Sequence, residues 1–571
     1  MNCLKEFRKA LAIIGFLMFF VTAEPYAQNV SVSVNCTTIV NIISDHLYGC
    51  NIAVWDQEVN GTNAAFNDAM TSSGIKYYRW PGGSWADIVM WNGYMSTGVT
   101  YAQSLSMLQE NGGTMQPICN FSGYWGNTQH TLAQTVQAAA DEVTDYNITR
   151  KLGAKYWEIG NEEYGKWEQG YTNGVTYGAE YCSFYTAMKA VDSTIKVGAV
   201  VTVPREPYSE WVYDLTFSID ALASMKAQKI VPDFLIIHEY PYNEIFDDSV
   251  TQQNDTAVTG RCIDLWPSYI DTFNTWVTNA FGASNVGKVQ YLVTEFNALP
   301  VSEANPGQML NAMYISQSLM EFARLGVAGA SPWLAEYYIG AGDPTWYVYP
   351  MFNFNYGTRV VNATITPANT RTRAWAALDS SGNLTMFLAN NSLSDSSNAT
   401  ITLQGVTGGA SGEKWTMQTS GSGWKPELTA VTINGTASPA QASIKGLSGQ
   451  KITTGTTFSV SLPAYSMTWL RIPITGGGSS TLPEKQALRP VKPGASINQI
   501  GRNEFIVKLL MAAAMNPEWI VSVYNVNGKR IYSKTGNGDA TTLALGNAAS
   551  GVYFCTTTVD GLKLVNMLVV K

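Results

Sequence analysis

Short apolar runs alternate with longer amphipathic segments over the central part of the chain, between residues 46 and 345. This alternation is typical of parallel strands covered by helices on both faces. Eight such units predict an α/β fold, a (β/α)8 TIM barrel, with a doubly wound open sheet as the alternative. The predicted strands are Leu47–Trp55, Lys76–Pro81, Met115–Phe121, Lys155–Asn161, Lys196–Val203, Phe234–Tyr240, Val289–Phe296 and Val327–Trp333. The predicted helices include Leu132–Leu152, Tyr181–Val191, Leu222–Lys229, Tyr269–Phe281 and Gln308–Leu325.

The pattern changes after the barrel, which is assigned to residues 46–348. Residues 349–474 contain short alternating strands rich in Thr, Ser, Gly and Asn. Such strands predict an accessory antiparallel β-sandwich. The segment Asn29–Val40 alternates in the same way and precedes the first barrel strand, so residues 28–45 are predicted to join this sandwich.

The C-terminal part has a different composition. Residues 475–496 contain a Gly/Ser run followed by a Pro/Lys-rich stretch, which is typical of a linker. Residues 497–571 then predict a small β-sandwich. Within it, "WIVSVYNVNGKRIYSK" predicts two strands joined by an Asn-Gly turn.

Residues 1–27 have the pattern of a signal peptide. Basic residues precede the eleven-residue apolar run Leu11–Val21, and the small residues Ala23 and Ala27 follow it. Eleven apolar residues are too few to span a bilayer, so the pattern predicts export rather than anchoring, with cleavage after either alanine. No later run is long enough for a membrane-spanning helix, so no membrane span is expected.

Composition narrows the possible functions. The chain has 571 residues, of which 46 % are hydrophobic and 14 % charged, which argues against disorder over most of its length. Removing residues 1–27 takes away three basic and two acidic residues, so the net charge changes from −8 to −9. An acidic chain without basic clusters is not expected to bind nucleic acid. The 12 % of aromatic residues suit a protein that handles sugars or peptides.

Histidines and cysteines give little sign of a metal or cofactor. The three histidines, His46, His130 and His238, lie far apart and form no HExxH motif. The chain also lacks a phosphate-binding GxxxxGK[ST] loop and a strand-borne GxGxxG motif, so no cofactor and no metal are expected. Six cysteines follow the signal peptide without a CxxC pair, and their connectivity stays open. Cys119, in an apolar run, is expected to be a buried free thiol.

Two carboxylates stand at the carboxyl ends of predicted strands, where the loops of a barrel collect its chemistry. Glu162 ends the fourth strand and Glu295 ends the seventh. An unpaired buried carboxylate costs several kcal/mol, so each needs a structural or functional reason. A pair of carboxyls on either side of a glycosidic bond would supply the general acid and the nucleophile of sugar hydrolysis. A structural salt bridge is the alternative for either residue alone.

Other candidates surround this pair. Arg79, at the end of the second strand, is the available cation. Glu158 shares the parity of Glu162 and is expected to point into the barrel as an ion-pair partner, for example of Arg79. Glu163 and Glu239 have the opposite parity and are expected to face the helices or the rim. Weaker candidates are Tyr240 as a hydrogen-bond donor to the nucleophile, Trp333 as a platform for an apolar sugar face, and His238, for which a structural role is the alternative.

The motifs around these residues resemble those of clan A retaining glycosidases. "RWPGGSWADIVMW" and "KYWEIGNEEYGKWEQG" are most similar to family 51 α-L-arabinofuranosidases, and the resemblance covers about residues 30–474. It implies Glu162 as general acid/base, Glu295 as nucleophile and Asn161 as a contact to the sugar hydroxyl beside the anomeric carbon. Two features depart from the family pattern: Phe296 stands where a Trp is usual, and "HEYPY" is not a close match.

The resemblance leads to a functional expectation with two alternatives. We expect a secreted enzyme that releases α-L-arabinofuranose from plant polysaccharides with net retention. The first alternative keeps the mechanism but cuts an internal β-glucan or xylan linkage. The second is a carbohydrate-binding or adhesin protein without catalysis, although such a protein would have no need for two opposed carboxylates.

The last 70 or so residues closely resemble the type A sorting domain of the bacterial type IX secretion system. The resemblance rests on the hairpin, on "SGVYF" and on the terminal "VVK". It implies a Bacteroidetes-like bacterium, export across the outer membrane by the type IX machinery, and a secreted or cell-surface location. A small adhesive β-sandwich is the alternative.

Overall fold

The computed structural model shows eight parallel strands, each followed along the chain by an α-helix. The strands are β1 (Cys50–Asn51), β2 (Tyr77–Trp80), β3 (Thr114–Cys119), β4 (Tyr156–Ile159), β5 (Lys196–Val200), β6 (Phe234–Glu239), β7 (Gln290–Phe296) and β8 (Gly329–Ala330). The helices are α1 (Ala64–Ser73), α2 (Tyr101–Glu110), α3 (Leu132–Val143), α4 (Gly174–Val191), α5 (Phe217–Ala227), α6 (Leu265–Phe281), α7 (Met309–Leu325) and α8 (Pro344–Asn355). The structure describes residues 28–55, 64–93, 98–110, 112–204, 216–241, 259–260, 262–298, 309–333, 343–368, 371–419, 431–476, 494–501, 504–510, 518–525, 529–537, 540–545, 551–559 and 562–570.

Backbone hydrogen bonds close the eight strands into a barrel. Each strand from β1 to β8 pairs in parallel with the next. At the seam, the Gly49 N–H donates to the Ala330 carbonyl at 3.0 Å, and the Asn51 N–H donates to the Pro332 carbonyl at 3.2 Å. The predicted (β/α)8 barrel is confirmed. β1 and β8 are shorter than predicted because the residues beside them are joined across the seam by isolated backbone hydrogen bonds and not by regular strand pairing.

The helices differ from the predicted segments at their ends. α3 begins with a capping box between Thr131 and Gln134. It ends at Val143 and continues as a π-helical turn, Thr144–Thr149, where a single longer helix was predicted. α4 begins at Gly174, seven residues before its predicted start at residue 181. The first part of α4 contains Gly174 and Gly178. Because glycine has a low helix propensity, the sequence pattern did not predict a helix there.

Two glycines of α4 allow it to pack closely on α5. A Cβ atom added to Gly174 would overlap the Phe217 carbonyl, and one added to Gly178 would overlap the Ala221 carbonyl. Both glycines are buried. The conformational cost of glycine in a helix is therefore offset here by a backbone-to-backbone approach that no larger residue permits.

Eleven strands outside the barrel form one continuous, curled sheet, mostly antiparallel, around a core of Val, Leu, Ile, Ala and Met side chains. This is the predicted accessory β domain, although hydrogen bonding does not divide its strands into two separate sheets. The strands are Gln28–Ile42, Arg359–Thr366, Thr372–Leu378, Leu384–Asn390, Ser397–Gln404, Ser411–Thr419, Val431–Ile433, Thr436–Ala437, Gln450–Thr453, Thr457–Leu462 and Ser466–Ile472. Two shorter strands, Thr407–Gly408 and Ile474–Thr475, pair with each other, and a short helix spans Gln441–Ile444.

The N-terminal strand Gln28–Ile42 belongs to this sheet, as its alternation predicts. Val30, Val32 and Val34 are buried, whereas Asn29 and Ser31 are exposed. The strand pairs antiparallel with one neighbour and in parallel with the other. This N-terminal strand, which precedes the barrel in the sequence, therefore completes the β domain that is formed by residues after the barrel.

The last barrel helix crosses the predicted boundary between residues 348 and 349. α8 continues to Asn355, and the next strand begins at Arg359. Pro350 lies inside α8, at a position that suggests a helix end in the sequence. The helix nevertheless starts well, because Asp343 caps it by accepting from the Thr345 N–H at 2.8 Å and Pro344 occupies the first turn.

The C-terminal residues form a separate unit of two antiparallel sheets. Their strands are Gly494–Gly501, Glu504–Leu510, Glu518–Asn525, Arg530–Asn537, Ala540–Ala544, Gly551–Val559 and Leu562–Val570. The predicted hairpin is present, since the third and fourth of these strands pair antiparallel. Its Asn-Gly turn, most of the predicted linker and the predicted signal peptide lie outside the described residues.

The six cysteines after residue 27 are free and buried, including Cys119 as expected. No helix among the described residues has the length and apolar character needed to cross a membrane.

We expect Gly178→Ala to lower the free energy of unfolding by about 1–3 kcal/mol, since the added methyl overlaps the backbone of α5. Gly446→Ala is the matched control, because a Cβ there meets nothing within 4 Å, and its effect should stay within about 0.5 kcal/mol. Urea unfolding followed by circular dichroism measures both. Equal stability of the two variants would show that α4 and α5 can separate without cost.

Candidate active site

A fully buried arginine lies at the centre of the barrel mouth. Arg79, on β2, uses all five of its N–H groups. Its Nε donates to Glu158 at 2.9 Å, and Nη2 donates to Glu158 at 2.8 Å and to Asn161 Oδ1 at 2.9 Å. Its Nη1 donates to Asn51 Oδ1 at 3.0 Å and to Glu295 Oε1 at 2.7 Å.

Charge neutralisation explains how this arginine is buried. Burial alone would lower the pKa of Arg79, but the charges and hydrogen bonds of Glu158 and Glu295 raise it above its ordinary value, so the guanidinium stays charged. Glu158 is itself fully buried and also accepts a hydrogen bond from Gln116. The expected ion pair between Glu158 and Arg79 is confirmed.

Glu295 reaches the mouth because β7 contains a bulge. The register of β7 against β6 shifts between Val293 and Glu295, so Thr294 is an extra residue in β7. Bulges commonly re-aim a side chain next to a functional site. Glu295 then accepts from Arg79 on one oxygen and from the Tyr240 hydroxyl on the other, the latter at 2.7 Å. Burial and the charge of Glu295 hold the pKa of Tyr240 well above its ordinary value, so its hydroxyl remains a donor.

Glu162 lies in the loop after β4 with a left-handed backbone, φ 56°. A non-glycine residue in this region is uncommon and marks a position that its surroundings impose. Its Oε1 bonds to His238 Nδ1 at 2.9 Å and to the Tyr164 hydroxyl at 3.1 Å, and its Oε2 accepts from Trp167 Nε1 at 2.9 Å. Burial alone would raise the pKa of Glu162, but the hydrogen bonds and charge of His238, with Trp167 and Tyr164, bring it below its ordinary value.

His238 links the two carboxylates. Its Nε2 lies 3.1 Å from Thr294 Oγ1, and its Nδ1 lies 3.8 Å from Glu295 Oε2. One ligand atom from each of Glu162, His238 and Glu295 lies within 4.8 Å of the others. By spacing alone these three could surround a metal ion, yet both carboxylates already accept hydrogen bonds from protein donors. The arrangement therefore favours carboxylate chemistry.

Three further carboxyl groups lie buried behind Asn161. Glu163 accepts from the Asn161 N–H at 2.5 Å, and Glu168 accepts from Asn161 Nδ2 at 3.1 Å. Asp87 accepts from the backbone N–H groups of Phe121 and Ser122. All three are at most 5 % exposed.

Burial raises the pKa of all three carboxyl groups, and repulsion between neighbouring carboxylates adds to the shift of Glu163 and Glu168. Burial first, then the charges of Asp87 and Glu168, raise the pKa of Glu163 well above its ordinary value. Burial and the charge of Glu162 raise the pKa of Glu168 to about 9, and burial raises that of Asp87 to about 6. These shifts favour the neutral forms of Glu163 and Glu168.

Aromatic rings line one side of the mouth. Trp333 lies after β8, with its ring centroid 6.0 Å from that of Trp55, which in turn lies 5.6 Å from that of Trp85. A Cβ atom on Gly83 would lie 2.7 Å from the Trp333 ring. This glycine of the "PGG" motif thus makes room for Trp333, in addition to allowing the turn at φ 53°.

The sequence candidates converge in space. Hydrogen bonds join Arg79, Asn161, Glu295 and Tyr240, and another joins Glu162 to His238. The two groups meet where His238 Nδ1 lies 3.8 Å from Glu295 Oε2, and Trp333 follows β8 at the same end of the barrel. The sequence analysis missed several members: Asn51, Tyr164, Trp167 and Glu168. For the last three a signal was available, because they follow Glu162 within six residues in the same loop.

Comparison with known families and curated proteins gives information on the C-terminal unit. Residues 503–571 match the secretion system C-terminal sorting domain, which confirms the resemblance seen in the sequence. No curated protein sequence matches the chain.

Solved structures resemble the rest of the chain in fold. The α-L-arabinofuranosidase of Thermotoga maritima has a TM-score of 0.60 at 16 % identity, over 77 % of this chain and 99 % of its own. CelM2, a bifunctional glucanase-xylanase from a metagenome library, has a TM-score of 0.60 at 17 % identity, over 78 % and 100 %. A Paenibacillus polymyxa xyloglucanase of glycoside hydrolase family 44 has 0.55 at 14 %, over 78 % and 100 %. These likenesses establish the barrel with its β domain.

We expect Arg79→Met to lower the free energy of unfolding by about 3–5 kcal/mol, because it leaves Glu158 and Glu295 buried without their cation. Arg150→Met is the matched control. Its ion pair with Asp145, at 2.6 Å, is 42 % exposed on the arginine side, and its loss should cost less than about 1 kcal/mol. Chemical denaturation measures both variants. Equal losses would mean that the buried network contributes no more to stability than a surface pair.

Proposed function

We propose that the chain is a secreted retaining glycoside hydrolase that releases α-L-arabinofuranosyl residues from plant cell-wall polysaccharides by double displacement. One observation carries the proposal: a carboxylate oxygen of Glu162 and one of Glu295 lie within 4.8 Å at the mouth of a barrel. Carboxyl groups about 5–5.5 Å apart leave no room for a water between nucleophile and sugar, whereas inverting enzymes separate them by about 6.5–9.5 Å.

The first step uses Glu295 as the nucleophile. Arg79 and Tyr240 each donate a hydrogen bond to one of its oxygens and so orient the carboxylate that attacks the anomeric carbon. A bond forms between a Glu295 oxygen and this carbon while the bond to the leaving oxygen breaks. The leaving oxygen takes a proton from Glu162.

Glu162 must therefore hold a proton when substrate is bound. Its side chain is 16 % exposed in the free site. A sugar that covers the mouth removes this contact with water, which raises the pKa of a carboxyl group and favours its protonated form. In the second step Glu162 takes a proton from water, whose oxygen then displaces Glu295 and restores the free carboxylate.

The remaining residues suit recognition of a sugar. Among the described residues, Arg79 bonds to Asn161 Oδ1 and Glu168 takes one Nδ2 hydrogen, so the second Nδ2 hydrogen is available to the hydroxyl beside the anomeric carbon. Trp333, Trp55 and Trp85 offer apolar ring faces. The substrate partner is thus a polysaccharide or oligosaccharide.

An endo-acting β-glucanase or xylanase of the same clan is the second candidate. The same fold occurs in the glucanase-xylanase and the xyloglucanase named above. The row of tryptophans is also compatible with a longer chain of sugars. A carbohydrate-binding or adhesin protein is a weaker candidate, because binding alone would not need the opposed carboxylates.

The C-terminal unit supports export. A secretion sorting domain at residues 503–571, together with the predicted signal peptide, is consistent with type IX secretion from a Bacteroidetes-like bacterium. The enzyme would then act outside the cell or at its surface, where polysaccharides are present.

We expect Glu295→Ala and Glu162→Ala each to lower kcat by several orders of magnitude, because each removes one partner of the double displacement. The assay panel contains 4-nitrophenyl α-L-arabinofuranoside, other aryl glycosides, xylan and β-glucan. An activated leaving group should restore part of the rate to Glu162→Ala but not to Glu295→Ala, since it needs less proton donation. Near-normal hydrolysis by either variant contradicts the assignment. Arabinofuranoside cleavage without chain shortening separates the first candidate from the endo-acting one.

We also expect net retention at the anomeric carbon, because two successive displacements restore the original configuration. Proton NMR of the first-formed anomer, recorded before mutarotation, decides this. A predominantly inverted product would show that water attacks directly and that Glu295 is a base rather than the nucleophile.

A further inference from the structure

We propose that Glu168 is a positioning residue that fixes the side-chain amide of Asn161 in the orientation needed to donate to the sugar. This inference rests on the proposed glycosidase function. Glu168 is 5 % exposed and follows Glu162 in the same loop. Its Oε1 accepts from Ser84 Oγ at 2.7 Å and from Asn161 Nδ2 at 3.1 Å.

The side-chain amide of Asn161 lies between a hydrogen-bond donor and a hydrogen-bond acceptor. Arg79 can only donate, and it faces Oδ1 at 2.9 Å. Glu168 Oε1 accepts, and it faces Nδ2. A half-turn of the amide would set its NH2 group against the guanidinium, which is repulsive, and its oxygen against Glu168 Oε1, where the present hydrogen bond would be lost. Glu168 and Arg79 together thus admit one orientation.

This orientation leaves a donor for the substrate. An amide NH2 group has two hydrogens, and among the described residues Glu168 takes one of them. The second is available to a ligand hydroxyl. Without Glu168, the Arg79 contact alone would have to hold the amide, and the NH2 group would lose its one acceptor among the described residues.

The charges around Glu168 indicate that it acts as a neutral acid. Two carboxyl groups of its own loop, Glu162 and Glu163, interact with it electrostatically. From the turn after β2, Asp87 adds a third carboxyl group and Ser84 a neutral hydroxyl. The cation Arg79 is linked to Glu168 through the side-chain amide of Asn161. Burial and the charge of Glu162 raise the pKa of Glu168 to about 9. Glutamine, which keeps an acceptor oxygen and carries no charge, is therefore its matched replacement.

The test compares Glu168→Ala with Glu168→Gln, alone and combined with Asn161→Ala, on the best substrate of the glycoside panel. We expect Glu168→Ala to lower kcat about 10- to 100-fold, because a misplaced contact acts on the transition state, and Glu168→Gln to stay within about threefold of the parent enzyme. In the Asn161→Ala background, Glu168→Ala should lower kcat by less than about threefold further, since the amide that it positions is gone. Glu110→Ala, on the exposed end of α2, is the surface control.

The possible outcomes distinguish failure of the positioning role of Glu168 from failure of the proposed glycosidase function. Full additivity of Glu168→Ala and Asn161→Ala, or a Glu168→Gln variant as impaired as Glu168→Ala, overturns the positioning role while leaving the glycosidase intact. An inactive parent enzyme on the whole panel refutes the proposed function instead. In that case a crystal structure of folded Glu168→Ala decides the positioning: an Asn161 amide that still occupies its original orientation and order overturns it.

The pH dependence of thermal stability tests whether Glu168 is neutral in the folded protein, independently of enzyme activity. The unfolded chain releases the Glu168 proton near the ordinary carboxyl pKa, whereas the folded protein retains it up to about pH 9. Between these values the unfolded state binds fewer protons, so Glu168 makes stability fall as pH rises. We expect the fall in Tm from pH 5 to pH 8 to be smaller in Glu168→Gln than in the parent protein. An identical or steeper fall would show that Glu168 is ionised in the folded protein.

Discussion

The barrel mouth depends on one buried guanidinium. Arg79 is fully buried, and its charge is tolerable only because Glu158 and Glu295 neutralise it and every N–H group has an acceptor. Its other acceptors, Asn51 and Asn161, come from β1 and from the loop after β4. A single rigid side chain thus fixes the distances between β1, β2, β4 and β7, and the fork geometry of arginine makes lysine a poor substitute.

The same contact makes the two mouth carboxylates unequal. Glu295 has a permanent cation and a phenol as neighbours, whereas Glu162 has a histidine, a phenol and an indole. Two carboxyl groups this close cannot both be charged without a compensating partner, and only Glu295 has one whose charge is fixed. The environment of Glu162 can instead change with protonation and with substrate, which is the asymmetry that the proposed acid/base and nucleophile roles need.

The sequence allowed much of this to be predicted, and its limits have physical reasons. Strand parity placed Glu158 beneath the mouth because β4 is regular. Parity fails on β7, where the bulge at Thr294 turns Glu295 towards Arg79, and no sequence pattern marks a bulge. Asn51 was missed because β1 is reduced to two residues and its role is visible only once the barrel closes. The contact between Asp87 and Glu163 of the loop after β4 was missed for a similar reason, because the two residues lie far apart in the chain.

The loop after β4 shows why stability and chemistry conflict at this site. It places Glu162, Glu163 and Glu168 within seven residues, and Asp87 approaches from the turn after β2. Apolar side chains of similar volume in place of buried charged groups are often neutral or stabilising, so stability alone gives no reason for these acids. Here two of the acids bond to Asn161: Glu163 accepts from its backbone N–H, and Glu168 accepts from its side-chain amide. Because neutral acids can direct hydrogen bonds without adding charge, they can orient Asn161 beside Glu162 while Arg79 stays paired with Glu158 and Glu295.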